Sequence, residues 1–347
     1  MGDQSSLRGA GWLHGVAILL GITGLLAYAC SKFANGRLVV IIAALGLFGF
    51  IITLITLAVR LKDPQHILKS VALSLTAVIV STYLILFMLV YFFQNTIANQ
   101  TSSFFQPKRI SAETAAALIT ADVLPLDLTT PDDLHLHGWL VRNSTVEKTP
   151  LLIYFGGSGS EASEIIPFAK ELDGWSVALV NYRGFGLSEG TPTHANVLAD
   201  ALFIYDLLVT HQDIDSDRVV AMGYSLGTGV AVYLSEQRPT IGTILVSPYD
   251  HWSLIGLKQT PLYIPLSGIM KPYFDSISLA PNIITPLLCL IGSEDVFVPP
   301  NRSVDLVNGW GGETKVISYP GEDHSLLFHH NSSWTDILDF LKMLNPK

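Results

Sequence analysis

Arg218-Val-Val-Ala-Met-Gly-Tyr-Ser-Leu-Gly-Thr-Gly-Val-Ala-Val-Tyr-Leu234 begins as a β-branched apolar run, breaks at Gly223-Tyr224-Ser225-Leu226-Gly227, and resumes at once with helical spacing. A chain that turns from strand to helix within two residues forces its central residue into a strained backbone conformation, and glycines two places on either side allow neighbouring backbone to come close. The pattern predicts a strand over 219–222, a helix over 226–237, and Ser225 exposed on the turn between them.

The flanking sequence repeats this alternation. Short apolar runs at 151–155, 177–181, 244–247 and 287–291 read as buried strands, and helical spacing occupies 161–172 and 195–208. Residues 123–128 and 134–141 alternate apolar with other residues around Thr130-Pro-Asp-Asp133, as a half-buried hairpin does. Strands alternating with helices imply right-handed crossovers. The expected fold is therefore α/β: a mostly parallel sheet with helices on both faces and an antiparallel hairpin leading in.

Sites in such sheets form at the carboxyl ends of strands, so the polar residues that follow each apolar run are the ones to inspect. Ser225 is one. A serine hydroxyl is a weak nucleophile at neutral pH and needs an imidazole base oriented by a carboxylate. Gly292-Ser-Glu-Asp295 follows one strand and Pro320-Gly-Glu-Asp-His324 follows the run 315–319, which nominates Asp295 and His324. Glu294, Asp250 and Asp275 remain rivals for the acid, and His329 and His330 for the base. After the first parallel strand, Tyr154-Phe-Gly-Gly-Ser-Gly-Ser160 can turn backbone N–H groups toward a developing oxyanion, with Ser158 N–H and Leu226 N–H as the natural pair. The loop lacks the Gly-Lys-Ser/Thr ending and the G-x-G-x-x-G spacing of phosphate-binding loops, and no metal-ligand spacing recurs among the histidines. Neither a cofactor nor a metal is expected.

At 49% hydrophobic and 14% charged residues, the chain is too apolar for an ordinary soluble domain. Its excess lies in three stretches, 11–30, 38–59 and 71–93, which contain no Lys, Arg, Asp or Glu and are each long enough for a helix to cross a ~30 Å hydrocarbon core. The expected organisation is a three-helix membrane anchor over 1–93, a juxtamembrane connector over 94–120 that includes a short Ala-rich helix, and a globular domain over 121–347. A slight excess of Lys and Arg before the first stretch and between the second and third favours the amino terminus inside and the globular domain on the outer or lumenal side. Across the 347 residues the net charge is −9 with no clustered basic stripe, which argues against nucleic acid as a partner. Cys30 and Cys289 both sit in apolar runs, so a disulfide framework is excluded.

Phe105-Gln-Pro107, Leu136-His-Gly-Trp-Leu140, Asn181-Tyr-Arg-Gly-Phe-Gly-Leu-Ser-Glu-Gly190, the Gly223 to Gly227 turn, Phe274-Asp-Ser276, the motif ending at Pro299 and Gly321-Glu-Asp-His324 occur in that order. In this the chain after Phe104 resembles the membrane-anchored α/β-hydrolase-domain serine hydrolases. The resemblance implies the α/β-hydrolase fold, whose catalytic residues run Ser, Asp, His along the chain, and a structural role for Arg183. It also implies an activity among the esterases, lysophospholipid or monoacylglycerol lipases, acyl-protein thioesterases and some peptidases. This chain has Gly156-Gly157-Ser158 where many relatives have His-Gly-Asn, a change that keeps the backbone donors. Residues 248–275 are apolar and Pro-broken, consistent with a short lid or with plain packing over the sheet edge. The expectation is a membrane-anchored serine hydrolase acting on lipid or acylated substrates, with a membrane-tethered binding protein that retains the fold as the contrasting class.

Overall fold

The alternating residues of the first two runs pair as β1 (Val123–Thr129) and β2 (His135–Arg142), antiparallel and joined by the expected turn. Asp133 N–H donates to the Thr130 carbonyl and Thr130 N–H to the Leu134 carbonyl, both at 2.9 Å, which closes that turn. In this computed structural model, residues 104–143, 148–252, 273–329 and 331–344 are described. The apolar stretches 11–30, 38–59 and 71–93 lie outside them, as do most of 248–275 and His330. Among the described residues no helix is long and apolar enough to cross a membrane.

Six further strands follow: β3 (Thr149–Phe155), β4 (Ser176–Val180), β5 (Ile214–Tyr224), β6 (Gly242–Val246), β7 (Leu287–Gly292) and β8 (Thr314–Tyr319). The sheet order is β1-β2-β4-β3-β5-β6-β7-β8, antiparallel as far as β4 and parallel from there on. Every residue of β3, β4, β6 and β7 is buried, as expected of parallel strands covered on both faces. Because side chains alternate across the pleat, the same strands feed two cores. Leu151, Ile153, Ala221 and Leu245 pack on one face with α2 (His194–Leu208) and α3 (Leu226–Gln237). Leu152, Met222, Ile244 and Leu290 pack on the other with Trp334, Ile337 and Phe340 of a carboxyl-terminal helix, Asn331–Leu344. The short Ala-rich helix, here α1, spans Ala112–Ala117 and is capped by Ser111.

The single helix expected over 161–172 forms instead as a 3-10 turn, Ala162–Ile165, followed by one helical turn, Ile166–Ala169. Pro167 is the reason: it has no N–H to donate, and its ring would meet the carbonyl four residues back, so the helix must restart there. β5 begins five residues before the apolar run does, because Ile214 pairs with Thr149 ahead of a bulge. The helix Pro300–Asn308, α4, has no counterpart among the sequence expectations. With α4 introduced, Asn331–Leu344 is α5.

The glycines of the opening motif mark where backbones touch. A Cβ on Gly227 would lie 2.1 Å from the Phe155 carbonyl oxygen and 2.6 Å from that of Gly156, so α3 starts directly against the end of β3. Gly227→Ala is accordingly expected to cost about 1–3 kcal/mol or more by forcing β3 and α3 apart. A urea-unfolding midpoint equal to wild type would show that this contact can relax freely.

Candidate functional site

Ser225 holds the turn between β5 and α3 at φ +51° and ψ −120°, a conformation non-glycine residues adopt at a cost of about 1–3 kcal/mol. The surroundings fix it there. Ser225 N–H donates to the Val246 carbonyl at 3.0 Å, and the Ser225 carbonyl accepts from Thr228 N–H at 2.9 Å and from Thr228 Oγ1 at 2.6 Å. Tyr249 Oη donates to the Leu226 carbonyl at 2.9 Å, tying the loop after β6 to the same turn.

The structure brings Ser225, Asp295 and His324 together from three strand ends. His324 Nδ1 lies 2.7 Å from Asp295 Oδ2, and His324 Nε2 lies 2.8 Å from Ser225 Oγ. An ionised carboxylate only accepts, so the ring proton belongs on Nδ1 and leaves Nε2 to accept from the serine hydroxyl. The other Asp295 oxygen accepts from Phe297 N–H at 2.9 Å and Val298 N–H at 2.8 Å, which orients the carboxylate within a loop that buries it.

Acid and base meet because their loops are joined along their backbones. Glu294 N–H donates to the Glu322 carbonyl at 2.9 Å, and Ser293 N–H to the Tyr319 carbonyl at 3.1 Å. Gly292 permits this approach, since a Cβ there would stand 2.4 Å from the Asp323 carbonyl oxygen. The rivals named from the sequence are placed elsewhere. Asp250 is paired with Arg302 at 2.5 and 2.8 Å, Asp275 with His251 Nδ1 at 2.9 Å, and Glu294 is exposed. His329 ends the short helix Leu326–His329, beyond the loop that carries His324.

The glycine loop after β3 is held over the first turn of α3. Tyr182 Oη donates to the Gly156 carbonyl at 2.9 Å, and Gln106 N–H donates to the Ser158 carbonyl at 2.7 Å. Leu226 opens α3, where N–H groups have no acceptor within the helix. Gln106 and Tyr182 lie in stretches that carry the resemblance, but no role was expected of them or of Tyr249, because each acts by reaching across to a distant loop.

Arg183 is structural, as expected. Its guanidinium binds Asp200 at 2.7 and 2.8 Å and Asp132 at 2.5 and 2.9 Å, fastening the β1–β2 turn to α2. Hydrogen bonds from Arg183 hold Asp132 well below the usual carboxylate range, whereas burial lifts Asp200 against the pull of the same arginine. The hollow of about 430 Å³ beside this cluster is lined by Pro131, Ala199 and Phe203 and contains none of Ser225, Asp295 or His324. Cys289 is buried in β7, and burial pushes its thiol up, away from reactivity.

Comparisons with known proteins agree with this fold. Residues 149–265 match the family described as alpha/beta hydrolase fold. The uncharacterized protein Rv2307c of Mycobacterium tuberculosis is 30% identical over 198 residues, covering 56% of this chain and 70% of the relative. The uncharacterized membrane protein YNL320W of Saccharomyces cerevisiae is 28% identical over 231 residues, 62% of this chain and 78% of the relative. Among solved structures, the Pyrococcus furiosus esterase Pf2001 aligns with a TM-score of 0.54 at 20% identity, covering 70% of this chain and 97% of that one, a likeness of fold. The matched region spans β3, β5 and the Ser225 turn, and the likeness to the mycobacterial protein extends over more than two thirds of its length: the chain belongs to the alpha/beta hydrolase family.

Proposed function

We propose that the protein is a membrane-anchored serine hydrolase that cleaves carboxylic ester or thioester bonds of lipids or other acylated substrates through an acyl-enzyme on Ser225. The observation that carries this reading is the continuous chain from Ser225 Oγ to His324 at 2.8 Å and from His324 to Asp295 at 2.7 Å. His324 takes the hydroxyl proton as Ser225 Oγ bonds to the acyl carbon. The N–H groups of Ser158 and Leu226 receive the oxyanion, and His324 then protonates the leaving alcohol or thiol as the acyl bond breaks. A water activated by the same imidazole releases the acid and restores the hydroxyl. Asp295 keeps Nδ1 protonated and stabilises the imidazolium throughout.

Two features support an apolar substrate at a membrane. Val296 and Phe297, directly after Asp295, are 82% and 73% exposed, and the Phe297 ring lies 5.4 Å from that of His324. The uncharged stretches 11–30, 38–59 and 71–93 would hold the domain at a bilayer, on its outer or lumenal side. One experiment separates chemistry from anchoring. A chain beginning near residue 100 is expected to hydrolyse a short soluble ester as the full chain does, but to act far more slowly on an acyl lipid in liposomes, since tethering raises effective concentration without adding catalytic contacts. Equal rates on liposomes would remove the case for a bilayer substrate.

A further inference from the structure

Tyr224 precedes the nucleophile, and alternation along β5 sends its side chain to the face of Val220 and Met222, away from Leu226 and α3. The residue is buried. From there it reaches both neighbouring loops of the site. Its hydroxyl donates to the backbone carbonyl of His324 at 3.0 Å, and its ring lies 5.5 Å from the His324 ring with the planes inclined at 35°. Its other edge carries the glycine loop: a Cβ on Gly157 would stand 3.1 and 3.2 Å from two Tyr224 ring carbons. Phe328 packs edge-on against the ring at 5.3 Å and fixes its tilt.

We infer that Tyr224 is a positioning residue that sets the base and the oxyanion loop at their distances from Ser225, acting through both without touching substrate. The inference rests on the hydrolase reading above. The loop carrying His324 leaves an edge strand, β8, whose residues are mostly exposed, so inward packing of that strand does little to locate it. The Tyr224 hydroxyl supplies a fixed point in the loop itself, at the base's own carbonyl. The ring meanwhile supports Gly157 from beneath, adjoining the Ser158 N–H. Burial raises the phenol far above its ordinary range, so it remains a protonated donor at any pH at which the enzyme works.

The test uses the full chain in detergent with a short soluble ester and a fluorophosphonate. Tyr224→Phe keeps the ring and removes only the hydroxyl. It is expected to lower kcat by about 10- to 100-fold, as small misplacements of catalytic groups do, with KM within twofold of wild type, an unchanged melting temperature and labelling slowed by a similar factor. Gly157→Ala is expected to slow wild type by pressing on the ring and to have a smaller effect in a Tyr224→Leu background, which reads the second contact independently. Unchanged kcat in Tyr224→Phe, or a loss of rate matched by a rise in KM and a lower melting temperature, overturns the inference, as does full additivity of the Gly157 and Tyr224 variants. A wild type that neither turns over ester nor accepts the label overturns the hydrolase reading itself, whereas a labelled wild type matched by Tyr224→Phe overturns the inference and leaves the hydrolase reading standing.

Discussion

Ser225→Ala is expected to abolish both fluorophosphonate labelling and ester turnover, with a fall in kcat of about 10⁶, because nucleophile and base act as one unit. His324→Ala should fall by a similar factor: with Nε2 gone, nothing at 2.8 Å remains to take the serine proton. Asp295→Asn keeps the loop but changes which nitrogen of the ring is protonated, and a loss of about 10⁴ is expected. Rates are read per folded molecule, with circular dichroism establishing the fold. Labelling retained in Ser225→Ala would place the nucleophile elsewhere, and a near-normal rate in Asp295→Asn would remove the aspartate from the mechanism.

The second large effect concerns stability. Arg302 on α4 is 2% exposed and its partner Asp250 is 9% exposed, so Arg302→Ala takes from a buried carboxylate the guanidinium that offsets its desolvation. Such losses cost about 3–5 kcal/mol. The pair also anchors the loop after β6, where Ser303 Oγ donates to the Pro248 carbonyl at 2.6 Å and Asp250 Oδ1 accepts His251 N–H at 2.9 Å. Replacing both partners with apolar residues, Asp250→Leu with Arg302→Met, should recover much of that loss. Asp250→Asn should leave kcat per folded molecule close to wild type, in contrast to Asp295→Asn. A thermal or urea midpoint unmoved by Arg302→Ala would contradict the account, and a collapse of kcat in folded Asp250→Asn would return Asp250 to candidacy as the acid.

Of the seven strands anticipated up to β7, β1 and β2 were legible from alternation around a turn and the other five as short apolar runs, which burial on both faces of a parallel sheet demands. The strand before His324 was visible only as 315–319, since an edge strand has little to bury; its residues are mostly exposed. The helix over 161–172 was misjudged: the apolar spacing was sound, but Pro167 carries a local prohibition that the spacing conceals. α4 went unanticipated because two of its three buried residues, Arg302 and Ser303, are polar, and Leu306 alone makes no hydrophobic period.

Sequence alone was enough to establish the mostly parallel α/β class, the strand-turn-helix around Ser225, and a short set of candidate acids and bases, since these depend on local pattern and on the rule that sites gather at the carboxyl edge of a parallel sheet. The sequence nominated Asp295, but what sets it apart from its rivals is visible only in the tertiary structure. Asp250, Asp275 and Asp295 carry the same side chain, and what separates them is the partner each meets: Arg302, His251 and His324 respectively. The supports of the site were likewise invisible in one dimension, because the Tyr224 hydroxyl meets a carbonyl 100 residues away and Gly292 matters only for the loop that passes beside it. Local pattern constrains which residues can stand at a strand end. Which of them touch is decided by packing between segments far apart in the chain.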